Sequence, residues 1–225
     1  MKIALLCYRY PPNPKPGGIQ LFTQTLAINL VKYGVEVVVI SQESQLHKKL
    51  TRSVQDDVVV YRFRKNNWPR PRLFFQRLQF ETFTRRIIRK ENVELVECFD
   101  EGGVLLTASL GVPLVVRMHN NRMMRHFIKG KKSSPVSNYF ERQILRNADL
   151  RVGVSRWTAK QTLSLAGLKE MPVQIIYNGV DTNSFTLSER VKRDPNRILF
   201  VGSLSRRKGV DVLAKSMSKV FLRND

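Results

Sequence analysis

The chain has 225 residues, 42% of them hydrophobic, enough for one large packed domain or for one domain with a fragment of another. Its 39 Lys and Arg against 18 Asp and Glu give +21 at pH 7, a field that favours polyanions: nucleic acid, anionic lipid or phosphorylated small molecules. No stretch approaches the roughly 20 apolar residues that a membrane-spanning helix needs, and "MKIALLCY" reads as too short and too β-like for a signal peptide.

"KIALLCY" (2–8) is an apolar run of the kind expected for a strand buried on both faces. In "RYPPNPKPGG" the prolines forbid a helix before Gly18. From there Ile19, Phe22, Leu26 and Leu30 recur at helical spacing until Gly34 supplies a stop. "VEVVVIS" (35–41) and "DVVVYRF" (57–63) are the next strands. Leu73 to Lys90 is helical, although its apolar positions cover more than half the circumference and so define no narrow stripe. Strands follow at 93–99 and 113–119, with a short helix between them from about Gly103. A helix over 137–147, a strand over 150–155, a helix over 156–166 and a strand over 173–178 complete the series. This alternation predicts an α/β fold with a Rossmann-like, doubly wound, mostly parallel sheet and right-handed crossovers over residues 1–177. The polar, turn-rich segment 178–197 reads as a linker, and "ILFVG" with the helix after it (198–225) as the first strand and helix of a second α/β domain.

Charge is unevenly spread. Residues 62–90 hold ten cations against Glu81, and residues 117–146 hold eight against Glu141. Both segments read as anion-facing surface. Cys7 and Cys98 lie in strand-like segments without ligand spacing and read as reduced core thiols of a cytosolic protein.

In an open parallel sheet, ligands collect at the carboxyl ends of the strands. Three loops at such ends carry chemistry. In the first, Gly17 and Gly18 allow close backbone approach, and the helix N-terminus behind them attracts phosphate. Ten residues separate strand from helix and the glycines are adjacent, so this is no dinucleotide fingerprint, although Glu43 at the end of the second strand would superficially suit a ribose. In the second, His119 ends a strand, where it can orient or protonate a ligand near neutral pH. His126, seven residues on, forms no standard metal pair with it. In the third, Gly202 ends a strand and Arg206, Arg207 and Lys208 cluster before a helix, an arrangement suited to a departing diphosphate. Asn178–Gly179 is a tight-turn signal.

The stretches "MKIALLCYRYPPNPKPGGIQLFTQTLAINLVKYGVEVVVIS", "VVRMHN", "RVGVSRWT", "IIYNGVDTNSF" and "ILFVGSLSRRKGVDVLAKS", in this order, resemble a retaining glycosyltransferase of the GT-B fold, of the group 1 or family 4 type. The resemblance implies transfer of a hexose from a nucleotide-diphosphate sugar to a lipid-linked or glycan acceptor, without metal or other cofactor. It implies that His119 lines the cleft beside the transferring sugar and that Gly17, Gly18, Gly202, Arg206, Arg207 and Lys208 bind the donor diphosphate. Ser155 and Asn178 would line the cleft. Ser203 stands where the family usually has arginine, so Arg206 or Arg207 would substitute. The family's nucleobase pocket and paired glutamates have no counterpart before Asp225, which predicts an amino-terminal half with the start of its mate and little donor affinity. By the same resemblance the chain is expected in the cytoplasm, docked on an anionic membrane through residues 62–90 and 122–132. Two alternatives stay open: a non-catalytic basic module for nucleic acid or anionic membrane, disfavoured for nucleic acid because no recognition motif appears, and a degenerate fragment that pairs with another chain.

Overall fold

A computed structural model describes residues 1–12, 17–43, 50–65, 72–100, 109–182, 185–186 and 194–221. The chain divides into two compact units, Met1–Asp181 and Thr182–Asp225. The division falls inside the segment expected to be a linker.

The first unit is built on an eight-stranded sheet: β1 (Lys2–Tyr8), β2 (Glu36–Glu43), β3 (Leu50–Gln55), β4 (Val58–Arg64), β5 (Leu95–Phe99), β6 (Leu114–Met118), β7 (Leu150–Gly153) and β8 (Gln174–Ile175). Their order in space is β3-β4-β2-β1-β5-β6-β7-β8, and every pair is parallel except β3 with β4. Residues alternate between faces along each strand. Ile3, Leu5 and Cys7 therefore pack with Val37, Val39 and Ala27 under α1 (Gly18–Lys32), whereas Ala4 and Leu6 join Val38, Ile40, Val96 and Val116 on the opposite face. On that second face lie α2 (Arg72–Glu91), α4 (Pro135–Asn147) and α5 (Arg156–Leu165), which contribute Phe80, Leu145 and Leu163. Cys7 and Cys98 fall in different clusters; both are buried free thiols, and loss of solvation pushes the Cys7 thiol up to about 12.

Chain order reverses across β1: the path runs outward through β2 to β4, then returns over α2 to β5 on the other flank of β1. Parallel strands diverge there at their carboxyl ends, and that gap is the crevice in which a doubly wound sheet receives ligands. It positions the site.

Several expectations change. The run 57–63 pairs with an unforeseen antiparallel edge strand, β3, through a two-residue turn in which Asp56 and Asp57 adopt φ of 51° and 60°. Both values are what a tight hairpin requires. The strand expected over 173–178 is hydrogen-bonded only at Gln174–Ile175. A short α3 (Arg122–Ile128) stands where no helix was expected. The helix expected near Gly103 lies outside the described residues.

"ILFVG" does not form the expected strand: residues 198–201 have no regular secondary structure, and Ile198, Leu199 and Val201 are exposed. An apolar run becomes a strand only when a neighbour takes its backbone hydrogen bonds. The expected helix does form, as α6 (Val210–Phe221), with no buried residue.

Candidate functional site

The crevice floor begins at the end of β1. Beyond Tyr8 the chain turns through Arg9, with φ of 56°. The Tyr10 N–H donates to Ser41 Oγ at 3.0 Å, and that hydroxyl donates to Glu43 Oε1 at 2.9 Å. Arg62 of β4 reaches across, donating from Nη2 to the Pro11 carbonyl at 2.7 Å while its Nε sits 3.9 Å from Glu43. The loop after β1 is thus held from beneath by β2 and β4. Glu43, which suits a ribose by sequence, is engaged in this support. Arg62 is internal too, so the segment 62–90 is not uniformly a charged surface. Arg77 likewise is 5% exposed and lies 4.1 Å over the Phe140 ring.

Residues 13–16 lie outside those described; the chain re-enters at Gly17, the N-cap of α1. The Gly17 N–H donates to Gln20 Oε1 at 3.0 Å. A Cβ on Gly17 would stand 2.6 Å from that oxygen, whereas one on Gly18 would meet nothing within 4 Å. The first turn of α1 carries no acidic side chain. The positive end of this 15-residue helix is therefore undiluted by carboxylates of its own first turn.

His119 follows β6 directly. Its N–H donates to Oδ1 of Asp100 at 3.1 Å, and the Asp100 N–H donates to the Arg117 carbonyl at 3.2 Å. Asp100, at the end of β5, is fully buried and fastens the two strand ends together. The imidazole meets the Phe22 ring of α1 at 5.0 Å, edge to face. Phe22 is one turn along from Gly18 and on the same side of the helix. Phe22 therefore links the helix that opens at Gly18 to His119. Burial, and then the cation of Arg117, push the His119 ring down from 6.5 to about 4, so it is uncharged at neutral pH.

The chain beyond His119 is equally fixed. Asn121 Oδ1 accepts from Met124 N–H at 2.8 Å, and the two oxygens of Glu141, reaching from α4, accept the N–H groups of Arg122 and Met123 at 2.9 Å each. Three amides at the start of α3 are thus satisfied by side chains, one from another helix. Glu141, the sole acid among the cations of 117–146, is a buried cap and not a surface charge.

At the end of β7, Ser155 caps α5: its Oγ accepts from Thr158 N–H at 3.1 Å and donates to Thr158 Oγ1 at 2.9 Å. Gly153 allows α5 to close on the sheet, because a Cβ there would stand 2.7 Å from Cβ of Ala159 and 3.3 Å from the Ser155 carbonyl oxygen. Asn178 is exposed in an irregular segment beyond β8. In the second unit, Arg206 and Lys208 lie in a 3₁₀ turn that ends at Gly209, φ 74°, ahead of α6. The Arg206 guanidinium is nearly fully exposed, 3.8 Å from Asp211, and Gly202 lies against the Phe200 ring. The side chain of Arg207 lies outside those described.

His126 does not approach the crevice; its Nδ1 pairs with the Lys132 carbonyl at 2.9 Å. An open groove of about 620 Å³ runs between α5 and β8, lined by Arg156, Lys160, Leu163, Lys169, Val173 and Ile175, and includes none of the residues singled out by sequence.

The sheet order is that of a doubly wound α/β domain, and residues 16–184 match the family model for Glycosyltransferase Family 4. The chain belongs to that family. It is 27% identical to an uncharacterized glycosyltransferase of Methanocaldococcus jannaschii over 100% of this chain and 61% of the relative. It is 22% identical to a D-inositol 3-phosphate glycosyltransferase of Mycobacteroides abscessus over 97% of this chain and 55% of the relative. Sucrose-phosphate synthase from Thermosynechococcus elongatus superposes with a TM-score of 0.64 at 15% identity, over 81% of this chain and 49% of that one. Anabaena HepE, solved in complex with UDP, gives 0.54 at 17% identity, over 84% and 47%. The fold is thus the Rossmann-like half of a GT-B glycosyltransferase. The chain spans roughly half the length of these relatives.

Proposed function

We propose that the chain forms the acceptor-side half of a retaining glycosyltransferase that moves a hexosyl group from a nucleotide-diphosphate sugar to a lipid-linked or glycan acceptor. Most donor affinity belongs, in this reading, to a second domain of which residues 198–221 carry the opening elements. The observation that carries the proposal is the contact of Phe22 with His119. It joins the first turns of the helix after β1 to the end of β6, one strand beyond the reversal of sheet order between β1 and β5.

In the reaction, the bond from the anomeric carbon to the diphosphate oxygen breaks, and a bond from that carbon to the acceptor oxygen forms on the same face as the acceptor hydroxyl loses its proton. Gly17 and Gly18 let the α1 backbone approach the phosphates, whose charge the helix end favours. Gly202, Arg206, Arg207 and Lys208 stabilise the departing diphosphate, where negative charge grows. His119, uncharged, holds a sugar hydroxyl and does not protonate the leaving group. Ser155 and Asn178 stand at the rim. The reading assigns no metal and no cofactor, and the UDP complex of HepE supports a nucleoside-diphosphate donor. In a preparation that transfers sugar, His119→Ala should cut turnover at least about 100-fold while nucleotide binding stays within about threefold. Unchanged turnover would remove His119 from the chemistry.

The acceptor's setting is read from α3 and α4. Phe127, Ile128, Val136 and Tyr139 are all exposed, and Lys129, Lys131 and Lys132 stand exposed among them. Hydrogen bonds of Gly130 N–H to the Phe127 carbonyl and Lys131 N–H to the His126 carbonyl close a turn at the end of α3. Apolar side chains beside cations suit an anionic bilayer surface, and α3 begins a few residues beyond His119.

A further inference from the structure

Beneath His119 lies a buried charged assembly that the proposed transfer does not by itself require. Arg117 precedes His119 by two residues on β6 and so faces the same side of the sheet. Its guanidinium donates from Nε to Glu97 Oε1 at 2.6 Å and from Nη2 to Oε2 at 3.2 Å. The side chains of Arg117 and Glu97 are 8% and 17% exposed. The Arg117 guanidinium carbon lies 5.1 Å from the Phe22 ring centre, and the same ring meets His119 at 5.0 Å. The void left among Leu5, Phe22, Thr23, Glu97, Arg117 and His119 is about 10 Å³, room for no more than about one water. The imidazole cannot swing into this layer.

A buried ion pair is a poor source of stability, since apolar side chains of similar volume commonly do as well or better. Its effect on the neighbouring group is more specific. We propose that Arg117, Glu97 and Phe22 form a positioning assembly for His119, coupling the helix behind the glycine loop to the cleft histidine. The proposal rests on the reading of His119 as a cleft residue. Arg117 acts by charge, Glu97 by clamping Arg117 in place, and Phe22 by seating both guanidinium and imidazole against α1. Among the described residues, the charged groups near the ring are Arg117 from β6 and Glu97 from β5, with Asp100, just beyond β5, on the His119 backbone N–H; α1 presents Phe22, Thr23 and Leu26 and β1 presents Leu5, none of them charged. Burial, with the cation of Arg117 adding to it, keeps the ring unprotonated, which leaves one ring nitrogen as donor and the other as acceptor for a sugar hydroxyl.

The test uses the isotopically labelled 225-residue chain and needs neither donor nor acceptor. The Cε1–H resonance of His119, assigned by its loss in His119→Gln, should stay flat from pH 8 to about 5 in the wild type. Arg117→Met removes the cation and leaves a carboxylate nearby, so the proton affinity of His119 should rise about tenfold or more. Glu97→Gln with Arg117→Met removes both charges without stranding either; a smaller rise of about threefold or more is expected, with amide shifts elsewhere unchanged. Phe22→Leu should move the His119 resonance through loss of the ring current. The proposal is overturned if the titration is the same in the double variant as in the wild type, or if Phe22→Leu leaves the resonance in place. Either result would leave glycosyl transfer standing, because that reading fails separately, on unaltered turnover in His119→Ala.

Discussion

His119 ties the site to the stability of the fold. Its proton affinity in the folded chain is depressed, so between about pH 4 and 6.5 the unfolded chain binds a proton that the folded chain refuses. Stability therefore rises with pH through this window. The contribution is complete above about 6.5 and is lost as pH falls toward 4, an upper bound of roughly 3 kcal/mol. Urea midpoints of the wild type should drop between pH 7.5 and 5, and His119→Gln should show a clearly shallower drop; parallel curves would mean that the ring is not buried uncharged. At this scale the sequence revealed the histidine but not its supports. A polar residue at a strand end stands out by position. Asp100, Glu97 and Arg117 do not, because pairing of charges on different strands depends on the β5–β6 register and on which face α1 covers. Gly153 was equally hidden: its need for glycine comes from Ala159, on the helix that closes over it.

Among the elements, α3 is the one whose start depends most on a distant side chain. Glu141→Ala removes both acceptors for Arg122 and Met123 and should cost about 1–3 kcal/mol. Hydrogen exchange should quicken at the amides of 122–124 before it does in α4, and uniform protection would show that the cap is dispensable. Helices with a repeating apolar face, such as α1, and strands with apolar runs, such as β1, β2 and β6, are legible from residue order because burial itself sets their pattern. By contrast, β3 escaped because "LTRSVQ" is a polar edge strand whose residues alternate between half-buried and exposed. Its hairpin is signalled only by two adjacent aspartates. The run "ILFVG" misled in the opposite sense, since hydrophobicity alone supplies no pairing partner.

Across the whole molecule the buried charges nearly cancel: among the described residues Arg77, Arg117 and Arg151 are buried, as are Glu43, Glu81, Asp100 and Glu141, so the positive excess stays on the surface. Arg62, Arg77, Arg117 and Arg151 are partly or wholly internal, and Arg151 spends its donors on the carbonyls of Leu145, Arg146 and Ala148 at the end of α4. Part of that excess, at Lys129, Lys131 and Lys132, lies between α3 and α4 among exposed apolar side chains. The chain should float with vesicles containing about 30% anionic lipid, and Lys129→Glu, Lys131→Glu and Lys132→Glu together should lower that binding at least about tenfold, near 1 kcal/mol per cation. Binding unchanged by the triple substitution would assign the charge to another partner. The central claim is that Gly17, Gly18 and His119 face one crevice that receives the diphosphate end of a sugar nucleotide. Its most direct measurement is a titration of the backbone amide resonances of this chain with UDP-, GDP- and ADP-hexoses up to tens of millimolar. The account predicts weak, saturable shifts confined to residues 9–12, 17–20, 119–121 and 154–156 with at least one of them; shifts confined to the groove between α5 and β8, or none with any donor, would contradict it.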